Sequence, residues 1–191
     1  INPNVRALIA YNTDSELIST LRFNGILLAQ ATPQGGVVSG KSSVMKLDGW
    51  NWEDAAYSAD DGIHLNWPRK RLRARWWLGE TQTRDNPRYK QTVSDIDQIF
   101  KDAKSYVSMS TPATKNIKLE AMRGVIEGTS TLFIHVSNRD EILESVQWAK
   151  KTNISKVVLV DAEEALHAAD FLKENNIPVL LAEVHRLPSR T

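Results

Sequence analysis

The stretch that decides the fold of this 191-residue chain is residues 131–183, TLFIHVSNRDEILESVQWAKKTNISKVVLVDAEEALHAADFLKENNIPVLLAE. It holds three short apolar runs, Leu132–Ile134, Val157–Val160 and Val179–Leu181. The runs are continuous, whereas a strand with one exposed face would alternate apolar and polar residues. Strands that are buried on both faces have this composition, and helical crossovers between them are the usual reason.

Two helical patterns separate the three runs. The first starts at Arg139, carries Ile142 and Val146 on one face, and ends at Asn153. The second has apolar residues at helical spacing after residue 164 and stops before Pro178. Residues 131–183 therefore predict a βαβαβ unit with parallel strands and right-handed crossovers.

Two residues with useful chemistry stand at the ends of predicted strands. His135 follows the first apolar run and Asp161 follows the second. In parallel α/β folds ligands bind at the carboxyl ends of the strands, so we expect both side chains on the same rim of the sheet. A structural role is also open, because His135 could cap the strand and Asp161 could form an Asp-x-x-Glu helix cap with Glu164. His185 follows the third run and is a further candidate.

The composition restricts the class of protein. The hydrophobic fraction is 41% and the formal net charge is +1, which suits one soluble domain, residues 1–191, and argues against a charge-driven partner. Cysteine is absent, so disulfides and thiolate metal sites are impossible. No apolar run approaches the roughly 20 residues of a membrane helix, so we expect no membrane contact and a cytoplasmic or periplasmic location.

The two ends of the chain suggest a piece of a larger domain. The sequence begins Ile1-Asn2-Pro3 without Met, and it stops shortly after the third apolar run. A cut through a closed parallel sheet would leave edge strands near Val5–Ala10 and Val179–Leu181 with unpaired backbone groups. We therefore expect the chain to self-associate, most simply as a homodimer.

The first half of the sequence is less regular. Val5–Ala10 and Ile26–Ala31 are predicted strands on either side of a helix that carries Leu17 and ends near Gly25. Residues 32–86 are rich in Gly, Ser, Pro and Trp and are interpreted as an irregular insertion in the α/β domain. Helices are predicted over residues 87–106 and 119–126.

One phosphate-binding pattern falls in that insertion. Residues Gly35–Ser42, GGVVSGKS, fit the phosphate-loop expression in full, so a nucleotide-binding protein is an alternative. Such a loop must open a helix, and residues 42–47 leave barely a turn and a half before Asp48-Gly49. The basic run at residues 69–75, followed by two tryptophans, could grip nucleic acid, but the nearly neutral chain favours a solvated face. No nucleic-acid partner is predicted.

The quoted segments have a family resemblance. Phe133–Val136 followed by Asp140–Ile142, and later Asn176–Leu181, resembles the middle of metal-dependent amidohydrolases, and the imidazolonepropionase-like group in particular. The opening residues 1–12 and the glycine-rich residues 35–43 resemble the region after the first barrel strands of that group. The likeness covers most of the chain in the same order.

The resemblance implies a partial TIM-type (β/α) barrel with parallel strands. Enzymes of this kind hydrolyse amide or cyclic amide C–N bonds of small molecules with water activated by a divalent metal, commonly zinc. By this likeness His135 falls on a metal-binding histidine, and Asp161 stands where a second is expected. His185, from its place after the third apolar run, is a further candidate ligand. Asp161 is also a candidate catalytic proton acceptor. The chain contains no His-x-His pair, and one strand-end histidine with one aspartate falls short of the three or four ligands that zinc normally takes. We therefore expect the chain to lack tightly bound metal and to be inactive alone.

Overall fold

The computed structural model describes residues 1–72, 74–79, 81–109 and 114–181. Its strands are β1 (Leu28–Ala31), β2 (Val38–Lys46), β3 (Ala56–Asn66), β4 (Arg71–Leu72), β5 (Arg84–Asp85), β6 (Thr131–His135), β7 (Val157–Val160) and β8 (Val179–Leu180). Six of them form one sheet in the order β1-β2-β3-β6-β7-β8, and β4 pairs with β5 in a small separate ribbon. The six-stranded sheet is curled like half of a barrel, as the partial-barrel prediction requires.

The sheet is parallel on one side and antiparallel on the other. Strands β3, β6, β7 and β8 run parallel, whereas β1, β2 and β3 pair in antiparallel fashion. The prediction of parallel strands is therefore wrong for β1 and β2. Short connections explain the difference, because β1 and β2 are joined by six residues and a parallel crossover needs a dozen or more.

The described residues also form seven α-helices. They are α1 (Glu16–Phe23), α2 (Trp52–Ala55), α3 (Tyr89–Ser108), α4 (Ile117–Ala121), α5 (Arg123–Ile126), α6 (Arg139–Lys151) and α7 (Ala169–Glu174). Short 3-10 helices lie at Ala7–Ala10, Trp76–Leu78 and Ala165–Ala168. Among the described residues, no helix is both long and apolar enough to cross a membrane.

The βαβαβ prediction is confirmed as far as residue 181; residues 182 and 183 lie outside the described part. Strand β6 leads through α6 to β7, and β7 leads through a 3-10 turn and α7 to β8. Ile134 and Leu159 are fully buried at the centre of β6 and β7. Continuous apolar runs predicted these strands because one face packs on helices while the other faces inward along the curl.

The prediction of a strand at Val5–Ala10 is wrong. Residues 7–10 of the predicted Val5–Ala10 strand form a 3-10 helix that buries Leu8, and Arg6 makes only an isolated parallel bridge to Lys41. The next predicted strand is shorter than expected, since β1 begins at Leu28, and it lies at the edge of the sheet. A strand at the edge of a sheet need not be buried on both faces. The apolar residues of this segment therefore did not indicate a buried strand.

Residues 32–86 are not an irregular insertion. They contain β2 and β3, with nine and eleven residues. Their small polar residues indicate close packing: Ser42 and Ser43 are fully buried in β2, and a Cβ added at Gly62 would lie 2.5 Å from the Thr131 carbonyl oxygen. A composition that is typical of loops here permits close contact between neighbouring strands.

The main core lies between the sheet and helices α3 and α6. Leu65 and Ile134 project from β3 and β6 toward Phe100 of α3 and Trp148 of α6. The Phe100 and Trp148 rings meet edge to face, with centroids 4.9 Å apart. Because side chains alternate along a strand, the residues between these apolar positions face the inner side of the curl, where the polar groups gather.

Candidate functional site at the strand ends

The parallel strands β3, β6 and β7 bring three titratable side chains together. His135 is the last residue of β6 and lies between Asn66 of β3 and Val160 of β7. His64 lies two residues before Asn66, on the same face of the sheet, and Asp161 directly follows β7. The predicted pair His135 and Asp161 therefore shares one rim, joined by a histidine that the sequence did not indicate.

The three side chains form one hydrogen-bonded chain. His64 Nδ1 lies 2.8 Å from His135 Nε2. His135 Nδ1 lies 3.2 Å from Asp161 Oδ2, and an ionised carboxylate can only accept, so the imidazole donates. The contact orients both groups of the His135–Asp161 pair, as a carboxylate does for the imidazole in many hydrolytic sites.

His64 is the buried end of this chain. Only 1% of it is exposed, and its ring stacks on Phe133 with centroids 4.7 Å apart and an interplanar angle of 15°. Burial, with a smaller contribution from neighbouring His135, lowers the pKa of His64 to about 4. Its Nε2 atom is buried and has no hydrogen-bond partner among the described residues. His64 is therefore neutral near pH 7.

Asp161 is held at the rim by its backbone. It has a φ of +67°, in the left-handed region that is uncommon for residues other than glycine. Its backbone N–H donates to the Leu180 carbonyl of β8 at 3.0 Å. The predicted Asp-x-x-Glu cap is not what these groups form, because Asp161 accepts from His135 and Glu164 accepts from the backbone N–H of Arg139. Strained backbone of this kind is concentrated at functional sites.

A polar cavity of about 250 Å³ opens beside His135 and Asp161. Its lining includes backbone and side chains from the loop before β2, the end of β3, and the start of α6: Pro33, Gln34, Gly35, Ser39, Asn66, Trp67, Arg69, His135, Val136, Ser137, Glu141 and Asp161. Asn66 fixes one wall by donating to the Gly36 carbonyl at 2.7 Å and to Ser39 Oγ at 2.9 Å. The cavity therefore places a carboxylate and an imidazole against a small polar space.

Glu141 closes another wall of the cavity. It is only 2% exposed, and its Oε1 accepts from the Lys70 backbone N–H at 2.7 Å. Burial raises the pKa of Glu141, partly offset by that hydrogen bond and by Arg69 and Lys70 nearby. The carboxyl ties the segment after β3 to α6, and Lys70 Nζ makes a second contact to Glu144 at 2.7 Å.

The described residues do not fit the metal site that the resemblance implies. No group of three His, Asp or Glu side chains in this part of the chain is arranged to hold a metal ion. His64 and Asp161 contact opposite nitrogens of His135, so their donor atoms do not converge on one point. Catalytic zinc normally takes three protein ligands. The candidate His185 lies outside the described residues.

The phosphate-loop alternative is wrong in its structural context. Residues Val38–Lys46 form β2, so the Lys41 and Ser42 of the pattern lie within a strand and do not begin a helix. Lys41 Nζ lies 3.8 Å from an Asp60 carboxylate oxygen, and Ser42 Oγ donates to Asp61 at 2.8 Å. Both side chains thus serve contacts inside the sheet.

His64 was not predicted as a site residue because strand β3 was not predicted. A signal was present, since Ile63, Leu65 and Trp67 alternate with polar residues at the period of a strand. The same alternation places His64 and Asn66 on the opposite face from the apolar core. A strand assigned there would have put a second histidine beside His135.

Comparison with known proteins finds a solved structure with a similar fold. No protein-family model matches the chain, and no curated protein matches its sequence. Among solved structures, an amidohydrolase from Thermotoga maritima MSB8 is similar, with a TM-score of 0.83 and 20% sequence identity. The likeness covers 98% of this chain and 50% of that one, so the chain spans about half the length of that structure. The chain therefore has a fold like that of one half of an amidohydrolase.

Proposed function

We propose that the chain is half of the catalytic barrel of an enzyme that hydrolyses amide or cyclic amide C–N bonds in a small molecule. The fold likeness to an amidohydrolase supports the hydrolase class. Within that class, the residues quoted for the resemblance favour the imidazolonepropionase-like group. The proposed site is the rim cavity, because ligands of parallel α/β folds bind at the carboxyl ends of the strands.

The observation that carries the proposal is the His135–Asp161 contact at that cavity. Asp161 accepts from His135 through Oδ2, and its side chain is 42% exposed, so the carboxylate is open to a water molecule in the cavity. Water adds to the substrate carbonyl carbon and gives one proton to the Asp161 carboxylate. That proton then passes to the leaving nitrogen as the C–N bond breaks, which yields a carboxylic acid and an amine.

The resemblance also implies a divalent metal, commonly zinc, and the described residues contain no group of three side chains arranged to hold it. The proposed water addition and proton transfer accordingly use side chains of this chain alone. Metal dependence of the full-length enzyme is a separate proposal. Its test is the hydrolysis rate before and after removal of metal by a chelator, followed by addition of zinc.

The experiment is a substrate screen with the full-length polypeptide that contains this chain. Hydrolysis is measured as free amine or ammonia from linear amides and as the ring-opened amino acid from cyclic amides. Simple esters and phosphate esters are the controls, with release of the alcohol as the readout. We expect hydrolysis of at least one amide class by the full-length protein and none by residues 1–191 alone. A full-length protein that cleaves the esters or phosphates and no amide would contradict the proposal.

A further inference from the structure

We propose that His64 is a positioning residue of this site, which donates its Nδ1–H to His135 Nε2 and thereby holds the ring of His135 in the orientation and tautomer that donate to Asp161. The catalytic consequence rests on the proposed function, because it concerns the carboxylate that His135 orients. The contact itself does not depend on any reaction. It arises from the parallel pairing of β3 with β6.

The direction of the hydrogen bonds follows from the acceptor at one end. An ionised Asp161 carboxylate has no proton to give, so His135 Nδ1 carries a hydrogen. A neutral His135 then has a lone pair on Nε2, which faces His64 Nδ1 at 2.8 Å. Two lone pairs at that distance would repel, so His64 Nδ1 carries the second hydrogen and donates it.

The His64 ring has little freedom to do anything else. Only 1% of its surface is exposed, and the ring stacks on Phe133 in the neighbouring strand. Strand pairing aligns His64 with Phe133 and Asn66 with His135, so the backbone of β3 and β6 sets the distance between the two imidazoles. A neutral imidazole has one N–H, and this one is committed to His135.

This arrangement leaves His64 Nε2 unprotonated, buried and without a partner among the described residues. An unsatisfied buried acceptor is unfavourable for folding, and a phenylalanine at this position would avoid it. A histidine placed where it opposes stability is better explained by its contact with His135 than by packing. Both nitrogens of His135 are also engaged, so a metal ion could bind His135 only by displacing His64 or Asp161.

The test is imidazole nitrogen NMR on the 15N-labelled full-length protein at pH 7. In the wild type we expect a nitrogen–nitrogen coupling across the His64–His135 hydrogen bond, with the proton on His64 Nδ1. We expect protonated Nδ1 and unprotonated Nε2 on His135, unchanged by equimolar zinc. A proton on His135 Nε2, the absence of the coupling, or zinc-induced shifts of both rings would each overturn the inference.

Two variants separate positioning from packing. His64→Phe keeps an aromatic ring against Phe133 but cannot donate, and His64→Asn places an amide N–H near the position of Nδ1. We expect the His135 Nε2 shift to move toward that of a free acceptor in His64→Phe and to stay near the wild-type value in His64→Asn. Equal His135 shifts in the wild type and His64→Phe would contradict the inference.

These readouts do not use enzymatic activity, so the inference and the proposed function can fail separately. The wild-type coupling is measured without any substitution, which keeps the test decisive if a variant does not fold. A protein with the expected coupling and no amide hydrolysis would refute the proposed function alone. An active amidase without the coupling would refute the role of His64 alone.

Discussion

His64 and His135 are 71 residues apart in the sequence, and their Nδ1 and Nε2 atoms lie 2.8 Å apart in the fold. The parallel pairing of β3 with β6 makes this contact, and the end of β7 extends it to Asp161. The site is thus assembled across three adjacent strands. Any change that alters their spacing should alter the site before it disrupts the helices.

Gly62 offers a direct test of that dependence. A Cβ at this position would lie 2.4 Å from the Phe133 ring and 2.5 Å from the Thr131 carbonyl oxygen, so β3 and β6 must move apart. We predict that Gly62→Ala lowers the free energy of unfolding by about 3 kcal/mol, the upper part of the range for overpacking. The His135 nitrogen shifts should change with it.

The matched control is Gly25→Ala, after helix α1. Gly25 has a φ of +82° with no atom near an added Cβ, so the change introduces backbone strain of about 1 kcal/mol without touching the site. Unfolding curves and His135 spectra should separate the two variants. Equal effects on the His135 spectrum would show that the strand spacing at Gly62 does not set the site.

The buried His64 should make stability depend on pH. Its pKa is about 4 in the fold and about 6.5 in the unfolded chain, so between these values the unfolded state binds more protons. Stability from this group is complete above pH 6.5 and is lost as the pH falls toward 4. At about 1.4 kcal/mol per pKa unit, the expected loss is about 3 kcal/mol.

Denaturant unfolding at several pH values between 7 and 4 checks this prediction. His64→Phe removes the titrating group and keeps the ring stack on Phe133, so its curve should be flatter than that of the wild type by about the same amount. Parallel pH curves for the two proteins would show that His64 is not buried as a neutral imidazole.

Glu141 should tolerate loss of charge better than loss of its acceptor. Burial raises its pKa, so the ionised form is disfavoured in the fold and its contribution to stability declines as the pH rises through the folded pKa. We predict that Glu141→Gln is at least as stable as the wild type at pH 7. Glu141→Ala leaves the Lys70 N–H without this acceptor and should lower stability by about 1–3 kcal/mol.

Glu144→Gln is the control for the Glu141 variants. It lies on the same helix and loses an ion pair to Lys70, but both side chains are more than a third exposed, so the expected effect is below about 1 kcal/mol. Thermal or denaturant unfolding ranks the three variants. If Glu141→Gln is as damaging as Glu141→Ala, the charge of Glu141 is needed.

The prediction of self-association is based on the two edge strands of the sheet. Among the described residues, strands β1 and β8 end the six-stranded sheet, and Leu28 and Leu180 in them are 44% and 48% exposed. Unpaired edges with exposed apolar residues favour pairing with another chain. We predict a two-fold dimer of residues 1–191 at micromolar concentration by light scattering. A stable monomer that binds little hydrophobic dye would contradict it.

The second half of the chain was predictable because its signals are local. Continuous apolar runs and helical spacing indicated β6 to β8 with their crossovers, and the strand-end rule placed His135 and Asp161 on one rim. These inferences use sequence neighbours and one general property of parallel sheets. They needed no knowledge of long-range contacts.

The first half was not predictable in the same way. Strands β2 and β3 are rich in serine, glycine and charged residues, whose burial depends on strands far away in the sequence. Ser42, for example, donates to Asp61, and His64 stacks on Phe133. Such partners give polar residues a place in the sheet that strand propensity does not show. The His64–His135 contact was missed because β3 was not predicted, although residues 63–67 alternate at the period of a strand.

The effect of Asp161→Asn on the amide hydrolysis proposed for the full-length protein tests the role of Asp161 most directly. The amide of asparagine can still contact His135 but cannot take a proton from water, so kcat/KM should fall about 10²–10⁴-fold with little change in stability. Asp170→Asn, an exposed change on α7, is the control and should retain wild-type activity. Undiminished hydrolysis by Asp161→Asn would show that Asp161 is not the proton acceptor of this site.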